Sequence, residues 1–251
     1  MSLDIKQLNL APAYRVVSTE LQKLILSGSL APGQALPSET ALAEKFGVHR
    51  STIREGLRQL ENEGYLTRAS RKTLRVSIPG SEAIGNRSSR ALLMHKVTFR
   101  QLWEAEMVLE PLSASLAAQR ADAAEVAALQ GNVERTRAVI GKSGPRQSEE
   151  LVKAATEFHS LVCSATGNFA LMLAREPIGQ LFYPACLAIE PLLPQSGPRM
   201  ESAHSKITDA IARRDVHEAE VWMRKHIEDF RRGWLMAKRD EDLPVSGSVA
   251  F

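Results

Sequence analysis

The spacing of apolar residues changes within the first 80 positions, and that change limits the fold more than any other feature of the chain. Val16, Val17, Leu21, Leu24 and Ile25 recur at helical spacing over 13–26. The pattern stops at Ser27-Gly28, and Ala31-Pro32-Gly33 makes a turn. Ser38 is placed to cap a second helix, with Glu39 in the first turn, where the helix dipole favours an acid. Leu42, Ala43 and Phe46 share one face of that helix, and Gly47 closes it. A third helix starts near His49-Arg50-Ser51, turns Ile53, Leu57 and Leu60 inward, and ends before Gly64. Then the period shortens. Residues 65–68 and 73–78 read as two short strands around the polar tip Ala69-Ser70-Arg71-Lys72.

Three helices and a hairpin predict a winged helix-turn-helix over 8–79. The punctuated polar stretch that follows, with Gly85 and Asn86 inside it, predicts a linker over 80–90. Beyond it, low aromatic content (5%) and abundant Ala and Leu point to helices packed on helices. The helical segments are expected at 98–120, 122–140, 148–166, 168–189, 199–213 and 215–238. Asp122 with Glu125, and Asp215 with Glu218, have capping-box spacing at two of the starts. The expected fold is therefore mainly α: the winged module, then an antiparallel all-α bundle over 91–240 for effector binding and dimerisation. The tail from Pro244 onward is expected to fray.

Charge separates the same two regions. The net charge is +3, but residues 1–80 carry 11 Lys and Arg against 7 Asp and Glu, while the remainder holds 21 against 22. A basic front on a near-neutral body suits a phosphate-binding module attached to something else. Two cysteines, Cys163 and Cys186, give no disulfide framework and no CxxC pair, and no apolar run approaches the ~20 residues that span a bilayer. A cytoplasmic protein without a membrane segment is expected. A recognition helix offers its first residues to the major groove, and here these include Arg50 and Arg54, one turn apart. Arginine suits bidentate contact with guanine or phosphate, and the short donors Ser51 and Thr52 suit phosphate oxygens. On an arbitrary helix, two such arginines would simply be solvated.

The surrounding string tells against that reading. Leu30-Ala-Pro-Gly33, Leu36-Pro-Ser-Glu39, Leu42-Ala43, Phe46-Gly-Val48, Arg50, Ile53-Arg-Glu55, Leu57, Leu60 and Glu63-Gly-Tyr65-Leu66 resemble the GntR family of bacterial regulators over about residues 12–68. The resemblance implies double-stranded operator DNA as partner, read by a homodimer. The implied DNA-facing set is Ser38, Thr40, His49, Arg50, Ser51, Thr52 and Arg54, with Ser70 and Arg71 from the hairpin tip. Two departures stand out. His49 replaces the family's usual Ser, and Ser70-Arg71-Lys72 replaces a glycine-rich wing tip.

In the second half, Glu157-Phe-His159 followed by Gly167-Asn168, then His204-x-x-Ile207 and Met223-x-x-His226, resemble the all-helical effector domain of the FadR subgroup over about 98–232. That resemblance implies a divalent metal, zinc or nickel, on His159, His204 and His226, and a small metabolite effector, a carboxylic acid among the candidates. It also assigns Glu106, Glu110 and Asn168 to effector binding. The family's Asp one turn before the first His is Ala155 here, and its first-helix Arg is Glu106. Glu106 is thus either a replacement ligand or a selector for a less acidic effector. The regulator reading, with repression as the expected sign, has two rivals. One is a metal-dependent enzyme using the three histidines, although there is no HExxH and no phosphate-binding Gly loop. The other is a helical adaptor without a ligand.

Overall fold

The structure, a computed structural model, describes residues 11–70, 73–141 and 146–245. The chain divides into two compact units, Met1–Ala83 and Ile84–Phe251.

In the first unit, α1 (Ala13–Leu26), α2 (Glu39–Phe46) and α3 (Arg50–Asn62) precede β1 (Leu66–Ser70) and β2 (Thr73–Val76). Local chemistry sets the helix ends. Ser38 accepts a hydrogen bond from the Ala41 amide at 3.2 Å, and Gly47 takes the left-handed conformation (φ 65°) that ends α2. The strands pair antiparallel, Leu66 opposite Val76 and Arg68 opposite Leu74, with an irregularity between Arg68 and Ser70. The segment before α2 joins them: the Leu36 amide donates to Leu74 and the Val76 amide to Gln34, each at 2.9 Å. Val17 and Leu21 of α1 meet Ile53, Leu57 and Leu60 of α3 in a core closed by Leu66 and Val76. Gly56 makes the α1–α3 approach possible, since a Cβ there would lie 3.0 Å from the Tyr14 carbonyl oxygen.

The second unit is mainly helical. It comprises α4 (Ser81–Met94), α5 (Phe99–Arg120), α6 (Ala123–Ile140), α7 (Gln147–Ser164), α8 (Phe169–Ile189), a 3-10 turn (Glu190–Leu192), α9 (Ser196–Ala212) and α10 (Val216–Met236). Asp122 and Glu125 form a reciprocal capping box at α6, and Asp215 accepts from the Glu218 amide at α10. Ala114, Ala117, Ala118, Phe158, Ile207 and Met223 lie in the central core. Small residues along α5 let its neighbours come close.

The segment read as a linker, 80–90, does contain the boundary between the two units, but it is helical, falling almost wholly within α4. Ser89 is fully buried and its hydroxyl bonds Gln180 of α8 at 3.0 Å. The segment before the tail is tied down, with Glu241 gripped by Arg231 and Arg100 and the Val245 amide donating to the Val97 carbonyl; the rest of the tail, 246–251, lies outside the described residues.

Candidate nucleic-acid interface and metal centre

In the first unit, α2 and α3 start side by side. Glu39 Oε2 accepts from Arg54 at 3.1 Å and lies 3.8 Å from an Arg50 nitrogen. The Arg54 hydrogen bond holds the Glu39 carboxyl below its ordinary range, against a smaller opposing effect of burial. Ser38, Thr40, His49, Arg50, Ser51 and Arg54 are exposed, and Thr52 is half-buried. Ile53, Gly56, Leu57 and Leu60 turn to the core from the same helix. His49 occupies the N-cap of α3, yet its side chain makes no capping bond. Ser70 is exposed at the end of β1. Arg71 and Lys72 lie outside the described residues.

In the second unit, five elements converge on one cluster. His159 comes from α7, His204 from α9 and His226 from α10. The Nε2 atoms of His159 and His204 each lie 3.2 Å from His226 Nε2. One ring nitrogen carries either a proton or a lone pair, so only one of those two contacts is a hydrogen bond. His204 Nδ1 is also buried without a partner, while its ring stacks on Phe158 at 3.8 Å. As a hydrogen-bonded cluster this arrangement is poorly satisfied. As three lone pairs directed at one cation, it is well satisfied, and His159, His204 and His226 form a group able to hold a metal ion. Burial, with the neighbouring rings, keeps the His204 pKa well below its ordinary value and pushes His226 down to about 3. Neutral imidazole is the ligating form.

Glu110 of α5 is fully buried behind His159. Its Oε2 meets His159 Nδ1 at 2.8 Å and its Oε1 accepts from Arg175 Nε at 2.5 Å. Burial raises its pKa, but His159 and Arg175 outweigh burial and keep it ionised. A carboxylate on Nδ1 fixes the tautomer that leaves Nε2 free for a metal. Glu110 therefore positions the His159 ring with both oxygens engaged, and it also lines the adjacent cavity. Arg175, on α8, escaped sequence reasoning. The available signal was the Arg175-Glu176 pair after the apolar run 169–174.

His159 and His226 of the cluster line a cavity of about 580 Å³, with His204 buried behind them. Its other walls are largely apolar, including Val152, Phe182, Ile189, Met200 and Phe230. Ala155 faces it where the resemblance expects an Asp. Glu106 also borders it but is outside the three-histidine group, so the replacement-ligand reading is dropped. Asn168 does not line the cavity, and its side chain caps α8 by accepting from the Leu171 amide at 3.2 Å. That effector assignment is corrected. Burial pushes the Cys163 thiol up to about 11 and Cys186 up to about 12, so neither offers a thiolate near neutral pH.

Residues 13–76 match the bacterial regulatory proteins of the gntR family, and residues 101–229 match the FCD domain, just over half the chain. The chain belongs to the GntR family, with an FCD domain. This architecture fits the FadR subgroup. It is 27% identical over 229 residues to the Glc operon transcriptional activator of Escherichia coli strain K12, covering 88% of each chain. It is 25% identical to the HTH-type transcriptional repressor NanR of Cronobacter sakazakii, over 87% of this chain and 84% of that one. A solved Streptococcus agalactiae GntR structure matches 87% of this chain and 99% of its own, at 26% identity and a TM-score of 0.64. The protein is a DNA-binding transcriptional regulator, and the enzyme reading is set aside because its relatives are regulators. Among the described residues, no helix is long and apolar enough to cross a membrane.

Proposed function

We propose that this regulator is a cytoplasmic homodimer that binds a palindromic operator and represses until a small metabolite enters the helical cavity. Two copies related by a two-fold axis match two half-sites. Arg50 and Arg54 read base edges or phosphates from the start of α3. Ser38, Thr40, His49, Ser51, Thr52 and Ser70 complete the contact, and Arg71 extends it from the wing. The exposure of Ser38, Thr40, His49, Arg50, Ser51, Arg54 and Ser70 on the first unit supports this reading. His159, His204 and His226 would hold a divalent cation, zinc or nickel, whose chemistry at this site is Lewis acidity toward a ligand oxygen or nitrogen. An effector alters DNA binding only if it binds the two DNA-affinity states unequally.

The observation that carries the metal-and-effector reading is the convergence of three Nε2 atoms beside a cavity that His159 and His226 line, with Glu110 fixing the first ring. Elemental analysis of the purified protein tests it. About one zinc or nickel per chain is expected, and none in His204→Ala. Full metal content in that variant, or none in the wild type, rejects the metal site.

A further inference from the structure

The cavity has two chemically unlike parts. At the histidine end the protein's own charges already cancel. Glu110 and Arg175 offset each other at 2.5 Å. Glu106 holds its proton, because burial and then Glu110, to which it is hydrogen-bonded, raise its pKa well above the ordinary range. A divalent cation on three neutral imidazoles would add charge that nothing in the protein offsets, so this end suits an anionic head. The remaining walls are of another kind. Val152, Ile189 and Ile227 are buried along them, and Phe182, Met200 and Phe230 are half-buried. The polar side chains between these are mostly served. Thr156 donates its hydroxyl to the Val152 carbonyl at 3.0 Å, and Arg199 and Arg232 both hold Asp229. Glu190 is half-buried and Gln195 exposed, so water reaches both. Along these walls only the Ser196 hydroxyl is buried without a partner among the described residues. A ligand hydroxyl placed here gives up water and finds almost no partner, whereas a methylene gains by leaving water.

We propose that the effector is an acid with an apolar body, an alkyl or aryl carboxylate lying along these walls, and that polyhydroxylated acids of the same length are rejected. The assignment rests on the reading of this cavity as the effector site beside a metal. To that reading it adds the body of the ligand. Side chains from α7, α8, α9 and α10 together form a sieve against hydroxyl groups, in a cavity of about 580 Å³ that is large enough for such a chain.

Hexanoate and gluconate share a carboxylate and a chain length and differ in their hydroxyls. Calorimetric titration of the full-length protein with zinc present should show hexanoate binding roughly tenfold or more tightly than gluconate. Octanoate should bind roughly threefold or more tightly than hexanoate, since each added methylene leaves water. Met200→Gln nearly keeps the native shape but puts an amide on the wall, and should weaken octanoate severalfold. Met200→Leu, which stays apolar, should keep the wild-type octanoate affinity. Gluconate binding as tightly as hexanoate overturns the apolar body. An octanoate affinity no higher than that of hexanoate, or the same in Met200→Gln as in the wild type, overturns it too, as does an equal loss in Met200→Leu. Each of these results leaves the effector cavity itself standing. Failure of all three probes to bind removes the cavity as a site for acids, and this inference with it.

Discussion

α3 and α5 each carry several charges, and they treat them in opposite ways. α3 keeps Arg50 and Arg54 in water, tethered by Glu39, and gives its apolar face to the core. α5 turns Glu106 and Glu110 inward, where Glu110 meets a buried arginine and a histidine. Exposed charges can be lent to a partner at little cost to the fold, because water already screens them. Buried charges are tied to one geometry, and removing one partner strands the other. The difference teaches where each unit can be altered. The exposed charges can be removed without unfolding, while removing Glu110 strands the buried Arg175.

Breaking the buried side of the comparison should give the largest effect. Glu110→Ala leaves Arg175 uncompensated and should cost about 3–5 kcal/mol in chemical denaturation. Pairing it with Arg175→Met should recover much of that loss, since an apolar replacement removes the stranded charge. Recovery by the double variant separates charge burial from simple loss of packing.

Breaking the exposed side should cost function without stability. Arg54→Ala should weaken operator binding roughly ten- to hundredfold while the melting temperature stays at the wild-type value. An operator duplex selected from a random pool provides the substrate. The salt dependence of binding should also become shallower if the lost contact is to phosphate.

A smaller effect tests the scaffold beneath those arginines. Gly56→Ala pushes a methyl against the Tyr14 carbonyl and Val17 and should destabilise the first unit by about 1–3 kcal/mol, measured by thermal unfolding. The smallest change should be a gain. His49→Ser supplies the side-chain cap that α3 lacks and should add about 1 kcal/mol to stability.

These contrasts also explain what could be read from the sequence. Ser38, Gly47, Asp122 and Asp215 mark helix ends through bonds made within a few residues, so their roles are legible locally. The three histidines were legible only as a family pattern. Nothing in their spacing shows that α7, α9 and α10 bring their nitrogens together. α4 was hidden because its polar residues imitate a linker until Gln180, distant in sequence, accepts the Ser89 hydroxyl. Arg175 was hidden for the same reason, since Glu110 reaches it only through packing of α5 beside α8. Asn168 misled in the other direction. A residue in a family motif served to cap a helix rather than to touch a ligand.

The central claim is that surface charge reads DNA while buried charge serves the cavity. Fluorescence anisotropy on one selected operator duplex, with Arg54→Ala and His204→Ala measured beside the wild type, tests it most directly. The account predicts that Arg54→Ala loses specific binding and that His204→Ala keeps it while losing its response to added zinc. Wild-type affinity in Arg54→Ala, or an unchanged zinc response in His204→Ala, would contradict it.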